Sequence, residues 1–265
     1  MTQVEARTAS RPDVDDQPRL HRLRWWREVL YVLAFYVVYS TIRNTQGSAS
    51  VSASHALSHA REIVHLERVL GLYHERWVQQ RFLSQRAFIE FWNLFYGTFH
   101  FVVTVVALIL LFWRFPQRYP LGRNTLAITT AAALVGFAFY PLMPPRLLPA
   151  SYGFVDTLKA FGSLWSFDSG TMHKISNQYA AMPSLHFAWA TWSTVVLWPM
   201  VKRGWAKVAV LVYPAATLFA IVVTANHYFL DAVAGALIFV VGAAAALVLT
   251  PRLSRGSLFG LRRRG

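Results

Sequence analysis

The chain has 265 residues, 55% of them apolar and only 14% charged, and it contains no cysteine. That balance argues against a water-soluble domain, and the missing cysteine excludes disulfides and thiolate metal sites. The formal net charge of +14 does not indicate nucleic acid, because the basic residues gather in short clusters between apolar runs and form no aromatic-interleaved face outside them.

Residues 1–24 are polar, with Arg11-Pro12 followed by Asp13, Asp15 and Asp16, and read as a disordered cytoplasmic tail. The tail lacks the apolar core of a cleavable signal peptide, so the first apolar run is expected to remain as an anchor. Six runs then approach the roughly 20 residues that a helix needs to cross a bilayer. They cover 25–42, 88–113, 125–142, 184–201, 208–224 and 228–249. The first opens with Trp25-Trp26-Arg27-Glu28, whose indoles suit the membrane interface. The expected fold is all-α: an integral-membrane bundle of six transmembrane helices with an interfacial helix and an extracytoplasmic loop over the active site. Its membrane domain would span 25–250, and 251–265 would be a basic cytoplasmic tail.

Arg and Lys cluster in the N-terminal tail, at Arg114, Arg118 and Arg123, at Lys202, Arg203 and Lys207, and from Arg252 to Arg264. With six spans these clusters share one side, and the positive-inside rule makes that side cytoplasmic. The chain is therefore expected in the cell membrane with both termini cytoplasmic. Residues 47–87, residues 143–183 and the turn before His227 would face outward. Within 52–82 the spacing of Ala56, Leu57, Ile63, Val64, Leu66, Val69 and Leu70 predicts an interfacial helix that Gly71 ends or bends. Residues 143–183 begin Pro144-Pro145-Arg146 and predict irregular structure with a short helix near 154–164, over the mouth of the bundle.

The chemistry concentrates in Ala180-Ala181-Met182-Pro183-Ser184-Leu185-His186 and in Asn226-His227-Tyr228-Phe229-Leu230-Asp231. Ionisable groups at the edge of hydrocarbon are costly and seldom kept without a use. His227 and Asp231 are four apart, a spacing that shares a helix face, so the carboxylate can hold one imidazole nitrogen and leave the other as nucleophile. Pro183 is expected in the first turn of the fourth span, with Ser184 and His186. Asn226 is expected to cap the sixth span, with His227 in its first turn. Two helix N-termini, including the Leu185 backbone N–H, would then attract phosphate, with Arg146 supplying a cation.

These residues resemble the signature motifs of the type 2 phosphatidic acid phosphatase superfamily, and most closely its inositol phosphorylceramide synthase-like branch. Pro183-Ser184-Leu185-His186 resembles the second motif, His227 to Asp231 the third, and Pro144-Pro145-Arg146 sits where the first falls. The likeness extends over about 67–249, including Leu70-Gly71-Leu72-Tyr73-His74-Glu75 and the set Asn93, Tyr96 and His100. It implies a membrane lipid-phosphate phosphatase or phosphotransferase that needs neither metal nor cofactor. His227 would attack phosphorus, Asp231 would orient it, and His186 would protonate the leaving oxygen. Arg146, Ser184, Asn226 and backbone N–H groups would hold the phosphate. The implied partners are a phosphate-containing lipid and, for transfer, a polyol or sugar acceptor.

The pattern departs from the superfamily at three places. Phe139 stands where a Lys is usual, Ala220-Ile221 where Ser-Arg is usual, and Leu185 replaces a Gly. With two cations missing, the site is expected to favour a phosphate of lower charge, unless Lys174 or His173 substitutes from the loop. Asn93, Tyr96 and His100 form a polar stripe that either bonds helices together or lines a headgroup pocket. His55 and His59, with Glu62 nearby, lack a second ligand set for a metal. Two rival readings are a non-enzymatic lipid headgroup carrier and a metal-dependent hydrolase built on His100, His186, His227 and Asp231.

Overall fold

The computed structural model describes residues 24–45, 52–161 and 178–250. The tails at 1–23 and 251–265, and Lys174 with His173, lie outside the described residues. Those described form nine α-helices and no strand, apart from one isolated bridge between Leu142 and Ala180. The helices are α1 (Trp25–Thr45), α2 (Ala53–Val69), α3 (Glu75–Phe82), α4 (Arg86–Arg114) and α5 (Tyr119–Phe139). After α6 (Thr157–Phe161) come α7 (Leu185–Leu197), α8 (Gly204–Val223) and α9 (Phe229–Leu249).

Three of the described helices, α4, α8 and α9, are long and apolar enough to cross a membrane. α1 and α5 have 21 residues each, and α7 has 13. Prolines set several of the differences from the expected spans. Pro120 starts α5 six residues before the apolar run at 125, and Pro141 follows its end. Pro199 turns the last residues of the fourth run into a 3-10 helix, Trp198–Met200.

Glu28 of α1 pairs with Arg123 of α5, and Asn124 Nδ2 donates to Thr250 Oγ1 just past α9, so these three helix ends lie together. The end of α5 and the starts of α7 and α9 meet at the opposite end. α9 packs chiefly on α5 and α7. Its buried face is small (Ala232, Gly235, Gly242 and Ala246), which lets backbones approach closely. A Cβ on Gly235 would collide with the Ser184 carbonyl, and one on Gly242 with Thr129.

The predicted interfacial segment is two helices joined by a tight turn. Gly71 at φ +69° lets the Leu72 N–H reach Glu67 O (2.7 Å) and its own N–H reach Arg68 O (3.2 Å), a Schellman ending for α2. α2 then packs Ala56, Ala60, Ile63 and Val64 against Leu142, Met143, Leu148, Ala181 and Tyr228, roofing the end where α7 and α9 begin.

Pro214 lies inside α8 and cannot bond the carbonyl four residues earlier, that of Val210. Thr194 Oγ1 of α7 donates to Val210 O instead, at 3.0 Å. Thr194→Val therefore strands a carbonyl in apolar surroundings and should cost about 1–3 kcal/mol. Thermal unfolding in detergent reads that loss, which should vanish in a Pro214→Ala background, where a backbone N–H returns.

Candidate active site

The turn between α8 and α9 is built by residues 224–228. Ala225 is left-handed at φ 55°, a conformation that costs a side-chain-bearing residue about 1–2 kcal/mol. Two bonds hold it there: Ala225 N to Val222 O, 2.9 Å, and Asn226 N to Ile221 O, 2.9 Å. The His227 N–H also reaches Ile221 O, at 3.1 Å. The turn is thus a second Schellman ending, and the chain leaves it extended through His227 to Tyr228, the N-cap of α9.

Asp231, three residues into the helix, is fully buried. Its Oδ2 accepts from His227 Nδ1 at 3.1 Å and from the Tyr228 N–H at 3.0 Å. Its backbone carbonyl accepts the Ser184 N–H at 2.9 Å, which joins α9 to the start of α7. With Nδ1 donating to a carboxylate, the other nitrogen, Nε2, carries the basic lone pair. The expected His–Asp bond is present, though it crosses the helix start. Tyr228 is the N-cap and His227 precedes the helix, so the expected capping role for Asn226 is corrected. The cause is Asp231, which reaches back to the Tyr228 N–H.

His186 sits in the first turn of α7, as expected, and its ring centroid is 5.4 Å from that of His227 in an edge-on arrangement. Tyr96 stacks on His186 at 4.3 Å, and His100 meets it edge-on at 4.2 Å. His100 is buried, and its Nδ1 meets no hydrogen-bond partner among the described residues. Ser184 is the N-cap of α7 and its Oγ accepts from Phe187 N, so Pro183 lies before the helix and outside its first turn. The Leu185 N–H is at the first helical position, where no intrahelical acceptor exists.

Arg146 follows Pro144-Pro145 in a 3-10 turn, and its N–H donates to Ala225 O at 2.8 Å. Its Nε donates to Asn226 Oδ1 (3.0 Å) and its Nη1 to Asp156 Oδ2 (2.8 Å). Asn226 in turn donates Nδ2 to Thr224 Oγ1 at 2.8 Å. The Asn226 amide is therefore spent on positioning the guanidinium. The segment carrying Asp156 is pinned on both flanks. The side chain of buried Gln79, on α3, donates Nε2 to Val155 O and accepts from Val155 N. Asn93 and Thr157 exchange two bonds at 2.9 Å each.

The polar stripe of α4 thus divides. Asn93 ties α4 to α6, while Tyr96 and His100 surround His186. The N-terminus of α9 is not an open anion site, contrary to expectation. Asp231 takes the Tyr228 N–H, Glu75 Oε1 takes that of Phe229 (3.1 Å), and Glu67 Oε1 takes that of Leu230 (2.8 Å). The positions that lack the superfamily's cations supply none here. Phe139 is 80% exposed and turns away from the bundle, and Ala220 and Ile221 are fully buried.

The sequence motifs give no role to Asp156, Thr157, Gln79 and Glu67, and Glu75 figures only at the end of the stretch Leu70 to Glu75. The signal available for Asp156 is an acid in the outward loop close behind Arg146. For the glutamates it is their position on either side of Gly71. Histidines 55 and 59 do not gather ligands: His59 stacks on Tyr140 at 4.0 Å, and its Nδ1 lies 2.8 Å from Pro141 O. Among the described residues no group of three or more His, Asp or Glu could hold a metal ion. Asn93→Leu removes both bonds to Thr157 and should lower stability by about 1–3 kcal/mol, read as a fall in Tm.

A family model described as PAP2 superfamily matches residues 61–245. Comparison with curated proteins and with solved structures finds no match.

Proposed function

The chain belongs to the PAP2 superfamily, whose members are generally phosphatases or phosphotransferases, and on that premise we propose a membrane enzyme acting on lipid phosphate esters through a phosphohistidine. The observation that carries the proposal is His227 Nδ1 on Asp231 Oδ2 at 3.1 Å, with the His186 ring edge-on to it at 5.4 Å between centroids.

In the first half-reaction the Nε2 lone pair of His227 attacks phosphorus. The bond from phosphorus to the leaving lipid oxygen breaks, and protonated His186 gives that oxygen its proton. Asp231 keeps Nδ1–H in place and stabilises the imidazolium character that develops. In the second half-reaction water or an alcohol attacks phosphorus and yields its proton to His186. The P–N bond then breaks and returns its electron pair to His227. Arg146, with the Ser184 hydroxyl and the Leu185 N–H, would stabilise the phosphate oxygens. Water as acceptor makes the enzyme a phosphatase. A polyol or sugar hydroxyl makes it an inositol- or sugar-phosphate headgroup transferase using a phospholipid donor.

In this reading α1, α4, α5, α7, α8 and α9 are the six membrane segments, with both termini cytoplasmic and the site outside. The 13 residues of α7 rise only about 20 Å against a hydrocarbon core of about 30 Å, so its start, with His186, lies recessed below the surface. Arg146 is the cation at the site and is already paired with Asp156 at 2.8 Å. One partly neutralised cation suits the single charge of a phosphodiester better than the double charge of a monoester. Lys174, outside the described residues, is the remaining candidate from the loop.

His227→Asn should lower turnover at least about 10³-fold while vesicle binding persists, because the nucleophile is lost and the headgroup contacts remain. Turnover by that variant at wild-type rate would remove His227 as the nucleophile, and vesicle binding without any turnover by the wild type would leave a headgroup carrier as the better account. Chelators should not change the rate, and an effect that added divalent metal reverses would favour the metal-dependent alternative. Diester headgroups should react faster than phosphatidic acid, in an assay that identifies products by mass.

A further inference from the structure

Glu67 and Glu75 are both fully buried, a placement that is costly for carboxylates without partners. They come from different helices, eight residues apart, and the Gly71 turn folds them together. Their Oε1 atoms accept the consecutive N–H groups of Leu230 and Phe229, at 2.8 and 3.1 Å. Those two N–H groups open α9, directly between His227 and Asp231. The second oxygen of each carboxyl is buried and meets no hydrogen-bond partner among the described residues. Two fully buried carboxyls held on neighbouring N–H groups, each with an oxygen that meets no donor, call for a proton on one of them that the other can accept.

We propose that Glu67 and Glu75 are a proton-sharing carboxyl pair that clamps the first turn of α9 and thereby positions His227 and Asp231. This rests on the reading of His227 as the nucleophile. The pair makes no contact with the reacting atoms, so both are positioning residues. The remaining negative charge is favoured at a helix N-terminus, where the dipole and the unpaired N–H groups face it.

The titratable groups facing the pair are Asp231 and Tyr228 at the start of α9 and Tyr73 in the turn after α2. Burial, and then the neighbouring Glu75, push the Glu67 carboxyl up to about 10. A group whose pKa is raised by folding lends stability that is complete below its unfolded value and is lost as pH rises through the folded one. Resistance to unfolding should therefore decline between about pH 5 and pH 10, by up to about tenfold in the unfolding equilibrium per pH unit.

Full-length protein in detergent, as wild type, Glu67→Gln and Glu67→Ala, tests this by three measurements. These are amide exchange over residues 227–232, Tm against pH from 5 to 10, and kcat and KM on bis(p-nitrophenyl) phosphate. Glutamine mimics the protonated carboxyl, so Glu67→Gln should keep exchange protection and kcat within about threefold while its Tm depends less on pH. Glu67→Ala should speed exchange about tenfold or more at residues 229 and 230. It should also cut kcat about 10²-fold with KM nearly unchanged, as a displaced nucleophile does. Unaltered exchange in Glu67→Ala, or a Glu67→Gln variant as impaired as the alanine, overturns the proposal. Where the alanine variant does not fold, Glu67→Gln decides alone: a wild-type slope of Tm against pH overturns the pair. If the wild type itself turns over no phosphate ester, the reading of His227 falls, while exchange and Tm still decide on the clamp.

Discussion

Every element of the site refers back to one buried carboxylate. Asp231 holds the imidazole of His227 and the N–H of Tyr228 with one oxygen, and through its backbone carbonyl it accepts the N–H of Ser184. The same residue therefore sets the ring of one histidine, the starting point of its own helix and the distance to the helix that bears the other histidine. A charge with no exposure is tolerable only where donors converge on it, and here they are the His227 ring and the Tyr228 backbone N–H. Backbone donors do not swing as side chains do. The bond from the Ser184 N–H to the Asp231 carbonyl thus fixes the two helix starts against each other, and the rings they carry stand 5.4 Å apart.

Around that centre the molecule spends its polar groups on holding one another. Gln79 grips both sides of the Val155 peptide, Thr157 and Asn93 exchange two bonds, and Asn226 is shared between Thr224 and Arg146. In an apolar bundle such networks are worthwhile when every member is satisfied, and they fix one arrangement among many that would pack equally well. The close approach of α9 to Ser184 at Gly235 belongs to the same logic: helix contact at that point is backbone on backbone.

The parts that could be read from the sequence are those with a local signature. Apolar runs announced the long helices, Gly71 announced a turn, and the two histidine motifs stood at helix starts where a helical pattern and a polar cluster meet. What escaped was set by residues distant in the chain. Glu67 and Glu75 look like the wet face of an interfacial helix until the turn at Gly71 places them against α9. Asp156 gains its meaning only when residues 153–157 are drawn to Arg146. The N-cap of α9 was misplaced because Asn226 has the better intrinsic propensity, while a carboxylate three residues into the helix prefers to satisfy its own start at Tyr228. Ends of helices moved wherever proline intervened, as at Pro141 and Pro199.

The ion pair of Arg146 with Asp156 has a further bearing on how anions exchange. A guanidinium left bare in a recessed, weakly solvated mouth would grip whatever negative group drifted in and be slow to surrender it. With an internal counter-ion at 2.8 Å, arrival of a headgroup at the proposed site would be a trade of one carboxylate for one phosphate, and departure the reverse trade. Neither direction leaves a naked charge behind. Under the proposed function, affinity would thereby be capped and occupancy could turn over.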